Sequence, residues 1–412
     1  PGNPPARCLP AQPLIPVLRF QAPPPLSLYV HFPWCVRKCP YCDFNSHALR
    51  DMVPEQAYVD ALLEDLEQEL PGVWGRTVRS IFIGGGTPSL FSAPALERLL
   101  SGIRARLALH PDAEITLEAN PGSAEQERFA GYRDAGVNRL SIGIQSLNDS
   151  HLNALGRIHD ADQSFRAVRA ARVAGFDNIN LDLMFGLPDQ DSAAARADLE
   201  SALALRPEHL SWYQLTLEPN TRFHADPPVL PDEDEKWTMQ TLGQTLFASH
   251  GYTQYEVSAF ARAGQHCRHN LNYWQFGDYI GIGAGAHGKI TDAASGSVLR
   301  RWKKRHPRAY LEAADPTAYL EGERALSESE IVFEYALNRL RLREPFRLND
   351  FETRCGLQRD WIMPLIQQAQ ADGLMICDGD LVQHTGSGWL FLNDLLERFL
   401  PEEVQNARYR AN

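Results

Sequence analysis

Three cysteines, Cys35, Cys39 and Cys42, stand in a CxxxCxxC spacing within eight residues. Thiolates this close together are soft ligands for zinc or for an iron–sulfur cluster. Three of them on a 4Fe–4S cubane leave one iron without a protein ligand. Such an iron can chelate the amino and carboxylate groups of S-adenosylmethionine (SAM), placing the sulfonium where one electron can break its carbon–sulfur bond. The rival chemistry is a structural zinc site on the same three thiolates with His47 as the fourth ligand.

Downstream polar residues favour the cluster. Gly84, Gly85, Gly86, Thr87 and Pro88 follow a β-rich run, and missing side chains there let backbone approach a ligand closely. Glu118, Gln145 and Asp182 sit at or near the ends of three further β-rich runs. The runs are Leu26–Phe32, Val78–Ile83, Glu114–Leu117, Arg139–Ile144, Ile179–Phe185 and His209–Thr216, apolar on at least one face as buried parallel strands are. Between them lie amphipathic stretches at 54–70, 94–107, 124–135, 161–174, 193–205 and 233–250. Ser123 with Gln126 has the form of a capping box, and Gly136 and Gly175 each close a helix. Repeated βα units predict an α/β fold, a partial (β/α)6 barrel whose strand ends carry the site.

Composition limits the rest. Residues 1–25 hold nine prolines and only two charges, which predicts an extended tail ahead of a barrel at 26–250. Residues 251–326 break the βα alternation and include the basic run Arg300 to Arg308. Ser327 and Glu330 form another capping box and open a C-terminal unit at 327–400, followed by a tail at 401–412. Helical patterns at 330–342 and 359–372 ahead of strands near Leu374–Cys377, Leu381–His384 and Trp389–Leu392 predict a winged-helix-like α+β module. From Glu328 to Arg398 twelve acids face seven Arg and Lys residues, and the whole chain carries a formal net charge of -12, so nucleic acid is excluded as the main partner. Seven cysteines, three of them crowded together, fit metal ligation in a reducing compartment better than disulfides. No run approaches the roughly eighteen apolar residues of a membrane span, and no signal-peptide pattern opens the chain; the expectation is a cytoplasmic protein.

With these motifs assembled, the chain resembles the radical SAM superfamily, and within it the oxygen-independent coproporphyrinogen III dehydrogenase group, from Leu26 to about Leu400. Its phrases Tyr29 to Cys35, Cys39 to His47, Gly84 to Pro88 and Leu181 to Pro188 look like those of the HemW branch of haem chaperones. His269-Asn270-Leu271-Asn272-Tyr273-Trp274 matches that branch's HNxxYW signature. The resemblance implies a 4Fe–4S cluster on Cys35, Cys39 and Cys42, with SAM against Tyr29, Gly85 and Glu118. It implies room for a second SAM at Tyr41, Gly86, Thr87, Gln145, Arg157 and Asp182. Thr216 and His287 also align with SAM contacts, although their residue types differ from those of the dehydrogenase. Where the dehydrogenase continues to a fourth cysteine, this chain has Phe44, which argues against coproporphyrinogen decarboxylation.

The function implied is haem carriage: haem bound and passed to apo-haemoproteins, membrane respiratory proteins among the candidates, with a homodimer as a further expectation. The alternative is a radical SAM oxidoreductase acting on a porphyrinogen, so whether the chain is an enzyme stays open. The residues offer a haem site of their own. His269 can ligate iron, Tyr273 and Trp274 present flat apolar surface, Asn270 completes the phrase, and Cys267 on a strand would share the face of His269 and compete as ligand. The run Arg300, Arg301, Lys303, Lys304 and Arg305 reads either as a partner for haem propionates or as a solvated face.

Overall fold

The computed structural model describes residues 18–401. The six expected strands are present: β1 (Leu26–Phe32), β2 (Thr77–Gly85), β3 (Ala108–Ala119), β4 (Arg139–Gln145), β5 (Ile179–Phe185) and β6 (His209–Gln214). All pair in parallel with their sequence neighbours. Each is followed by a helix: α1 (Glu55–Val73), α2 (Ala93–Arg106), α3 (Phe129–Ala135), α4 (Ala161–Val173), α5 (Ser192–Ala204) and α6 (Glu233–Ser249). β3 begins earlier than its apolar run, at residues 108–112, which are mostly exposed and break the apolar pattern with His110, Pro111 and Asp112. Asp160, Asp191 and Asp232 cap α4, α5 and α6 through their carboxylates, and Gly136 ends α3 in the left-handed conformation. Ser123–Gln126 is a short helix, and the Gln126 amide reaches the carbonyls of Pro121 and Gln163.

The segment expected to connect the two units instead widens the sheet. Residues 251–326 contribute β7 (Thr253–Glu256), β8 (Ala259–Ala261), β9 (Asp278–Ile282), β10 (His287–Asp292), β11 (Ser297–Lys303) and β12 (Leu320–Ala325). The twelve strands run in the order β12-β11-β10-β9-β1-β2-β3-β4-β5-β6-β8-β7. The barrel therefore stays open: β9 continues the parallel set beside β1, and antiparallel strands finish both edges.

Strand alternation divides the basic run. Arg301 and Lys303 turn towards α1, where Lys303 Nζ lies 2.5 Å from both Asp65 Oδ1 and Glu69 Oε1, with all three side chains no more than 3% exposed. Arg301 pairs with Glu69 and Glu323. Arg300, on the other face, meets Glu334 and the Tyr279 hydroxyl. The expectation of a solvated face fails for these three residues, because their acidic partners lie far away in the sequence.

The C-terminal unit has its own apolar core, built on α8 (Glu328–Arg339), whose Ser327–Glu330 capping box is present. Its small sheet runs Phe346–Arg347, Leu381–His384, Met375–Asp378. The strand expected near Trp389 is helical instead: Thr385 accepts the Gly388 amide at 2.9 Å and starts Gly386–Leu390, followed by Leu392–Glu397. The third strand is Phe346–Arg347. Of the expected N-terminal tail, 1–17 lies outside the described residues, as does 402–412 at the other end. The remainder of the N-terminal stretch is bound: Leu18 is buried, the Arg19 amide donates to Gly356 O at 2.9 Å, and Asp278 donates its amide to Pro25 O.

Candidate functional site

The cysteines lie on a loop pinned at its base. Trp34–Cys35 pairs with His47–Ala48, His47 donates its amide to Pro33 O at 2.7 Å, and Leu49 donates to Cys35 O at 2.8 Å. Asn45 ties the loop tip to the segments that follow β9 and β11, its side-chain amide donating to Ala284 O and Arg305 O at 2.9 Å each. Cys35, Cys39 and Cys42 are free, partly exposed thiols that all line one cavity of about 500 Å³ at the carboxyl ends of the strands. Among the described residues no three His, Cys, Asp or Glu side chains converge as a single metal ion would require. His47 turns its ring edge-on to His306 at 5.2 Å. A cubane takes each thiolate on a different iron, so the donor set fits a cluster better than a preformed zinc site.

The same cavity collects most of the expected SAM residues: Tyr41, Gly85, Gly86, Thr87, Glu118, Gln145, Arg157, Asp182 and Thr216. The Gly85 amide donates to Glu118 Oε2 at 3.0 Å. Burial first, and the Asp182 charge second, push the Glu118 carboxyl up to about 8. Asp182 accepts from Ser141 Oγ at 3.0 Å and from the Asn180 amide at 2.8 Å. Arg157 donates to Gly143 O at 2.8 Å, to Asn120 Oδ1 at 2.5 Å and towards Cys39 Sγ at 3.6 Å. Gln145 sits at φ 71° and its Oε1 accepts from Tyr213 at 2.8 Å. Asn120 and Tyr213 escaped the sequence reading. Asn120 was legible in principle, two residues beyond Glu118 at a strand end, and it also donates to Thr87 Oγ1 at 3.0 Å.

The glycine run has a reason beyond ligand access. A Cβ on Gly85 would stand 2.6 Å from the His31 ring, and one on Gly86 would stand 2.5 Å from Trp34 O. Gly85 also adopts φ +116°, a conformation that side chains rarely accept. The protein's own packing already demands glycine there.

A second, outer cavity of about 780 Å³ shares Phe44, Gly85 and Glu118 with the first. It holds Tyr29 and His287, together with Tyr273, Tyr279, Trp302, Arg305 and Glu321. The Tyr29 hydroxyl lies 2.8 Å from His31 Nδ1. Phe44, at the position of the dehydrogenase's fourth cysteine, is 60% exposed where the cavities meet.

The HNxxYW phrase is divided by the fold. It forms α7 (Arg268–Trp274), with Cys267 as the capping residue, so no strand face joins Cys267 to His269. His269 is 1% exposed, and both ring nitrogens are taken, Nδ1 3.0 Å from Ser80 Oγ and Nε2 3.2 Å from Tyr273 Oη. Burial and the nearby Arg139 charge push its imidazole down to about 3. Cys267 is wholly buried against Glu114. Neither residue lines either cavity, so the geometry speaks against both as haem ligands. Asn270 and Trp274 face the inner cavity and Tyr273 the outer one.

An open βα barrel with three loop thiolates over a polar cavity at its strand ends defines a radical SAM protein. Residues 29–200 match the radical SAM superfamily model, and 326–391 match the HemN C-terminal domain. The chain belongs to the HemW family of haem chaperones. It is 53% identical over 379 residues to the haem chaperone HemW of Escherichia coli, covering 92% of this chain and 99% of that one. The Bacillus subtilis haem chaperone HemW is 34% identical, over 91% of this chain and 99% of its own. Among solved structures, the E. coli radical SAM enzyme coproporphyrinogen III oxidase (HemN) superposes with a TM-score of 0.77 at 25% identity, covering 92% of this chain and 90% of that one.

Proposed function

We propose that this chain is a haem chaperone that binds haem and transfers it to apo-haemoproteins, membrane respiratory proteins among them, while holding a 4Fe–4S cluster and SAM. The observation that carries the reading is the near full-length identity of 53% to a protein named as a haem chaperone. Phe44 in place of a fourth cysteine supports it against porphyrinogen decarboxylation.

When bound, the cluster and SAM supply one-electron cleavage of a carbon–sulfur bond. Cys35, Cys39 and Cys42 would hold the cluster, and the Gly85 to Thr87 backbone with Glu118 would receive SAM. Glu118, whose carboxyl is pushed up to about 8 chiefly by burial, would face the amino group of SAM as a hydrogen-bond partner. Arg157 would hold positive charge against the Cys39 thiolate. A haem in the outer cavity would lie beside the cluster pocket across the wall that Phe44, Gly85 and Glu118 share, which does not require that SAM be cleaved.

The alternative, a porphyrinogen oxidoreductase, draws on the likeness to the solved coproporphyrinogen III oxidase. One experiment separates them. Anaerobically reconstituted protein is incubated with haem, and separately with coproporphyrinogen III, SAM and reductant. Haem binding and its transfer to an apo-haemoprotein, without protoporphyrinogen formation, is the expected outcome; turnover of coproporphyrinogen without haem binding would reverse the assignment.

A further inference from the structure

We propose that haem docks in the outer cavity, with the His287 imidazole on its iron and the Arg305 guanidinium facing its propionates. The site rests on the chaperone reading and moves the ligand away from His269. Haem presents a flat apolar ring, an iron that takes an imidazole nitrogen, and carboxylates along one edge. Each of these has a counterpart here.

The flat surfaces are Tyr273, Tyr279, Trp302 and Phe44. Tyr273 and Tyr279 meet edge-on with ring centroids 4.3 Å apart, leaving a fixed aromatic corner. The Trp302 indole is seated over Gly322, where an added Cβ would stand 2.2 Å from it. Phe44 offers an apolar ring, mostly exposed, at the rim. An aromatic-walled hollow of about 780 Å³ is within the range of small-molecule and cofactor sites.

The ligand is placed by strand register. His287 opens β10 directly opposite Trp302 on β11, so their side chains leave the same face of the sheet as neighbours. His287 is exposed, and its ring makes no hydrogen bond with any described residue, whereas both nitrogens of His269 are engaged in the core. Arg305 is also exposed and enters no ion pair with a described residue, while Arg300, Arg301 and Lys303 are neutralised by Glu334, Glu69 and Asp65. Of the basic run, Arg305 is therefore the cavity-lining cation left for a propionate. The shared wall of Phe44, Gly85 and Glu118 would set this haem next to the SAM pocket.

The test titrates haem into the anaerobically reconstituted full chain and follows the Soret band, electron paramagnetic resonance and iron per chain for the wild type, His287→Ala and Arg305→Glu. SAM affinity is measured in parallel. His287→Ala should weaken haem by at least about tenfold and change its axial-ligand spectrum, with added imidazole restoring the spectrum. Arg305→Glu should weaken haem while leaving the ligand spectrum as in wild type. Arg305 lies at the surface, so it carries the test should His287→Ala lose its cluster. If the wild type binds haem and both variants match it in affinity and spectrum, the site is wrong while the chaperone reading stands. The same holds if His287→Ala lowers SAM affinity alone. If the wild type binds no haem, both the reading and the site fall.

Discussion

The Arg157 guanidinium joins Cys39 to the far side of the cavity: it lies 3.6 Å from the cysteine sulfur and donates to Asn120 and Gly143 on two different strand ends. One side chain thus couples the cysteine loop to the strand ends across the cavity. Its geometry, and that of three other residues, leads to four expectations.

Arg157→Met should leave the Asn120 and Gly143 oxygens without their donor, at a cost of about 1–3 kcal/mol. It should also weaken SAM binding while iron per chain stays near the wild-type value. Denaturant midpoints, SAM titration and iron analysis read the three effects separately. An unchanged SAM affinity would remove Arg157 from the pocket's working residues.

Stability should fall as pH rises towards 8. Glu118 titrates near 8 in the folded chain and near the ordinary carboxylate value when unfolded, so between these limits the native state holds the extra proton. The contribution is fully present below the unfolded value and lost as pH rises through the folded one. Glu118→Gln keeps an acceptor for the Gly85 amide and should flatten this slope. Urea unfolding of cluster-free protein at pH 5, 6, 7 and 8 checks it; parallel slopes for wild type and variant would refute the assignment.

His269→Ala should act as a core mutation. It removes a buried ring and strips a partner from Ser80 and Tyr273, which costs about 2–4 kcal/mol. The spectrum of bound haem should not change. A lost axial-ligand signature in a folded variant would restore His269 as the iron ligand.

Lys303→Met should destabilise the chain by about 3–5 kcal/mol, because Asp65 would lose its cation in the interior and Glu69 would keep only Arg301. The double change of Lys303→Met with Asp65→Asn should recover part of the loss. Thermal unfolding of the single and double variants measures the coupling; additive losses would mean the cluster does not act as a unit.

The parallel strands β1, β4, β5 and β6 and the helices between them were legible because buried strands are locally apolar and helices repeat every 3.6 residues. The cysteine spacing and the polar residues at strand ends were legible for the same reason: each is a property of a few adjacent residues. The three thiols, Gly85, Gly86, Glu118, Gln145, Arg157 and Asp182 do share one cavity. What adjacent residues could not say is which partner each side chain meets. Lys303 finds Asp65 and Glu69 more than two hundred residues away, and alternation along β11 sends its neighbour Trp302 to the opposite face. His269 looked like a ligand because histidine among aromatics has the right chemistry. Ser80 on β2 took one of its nitrogens and Tyr273, one helical turn on, took the other, while the register of β10 with β11 left His287 with an imidazole in the open. Burial and charge neutralisation are sums over distant neighbours, and those neighbours exist only once the chain is folded.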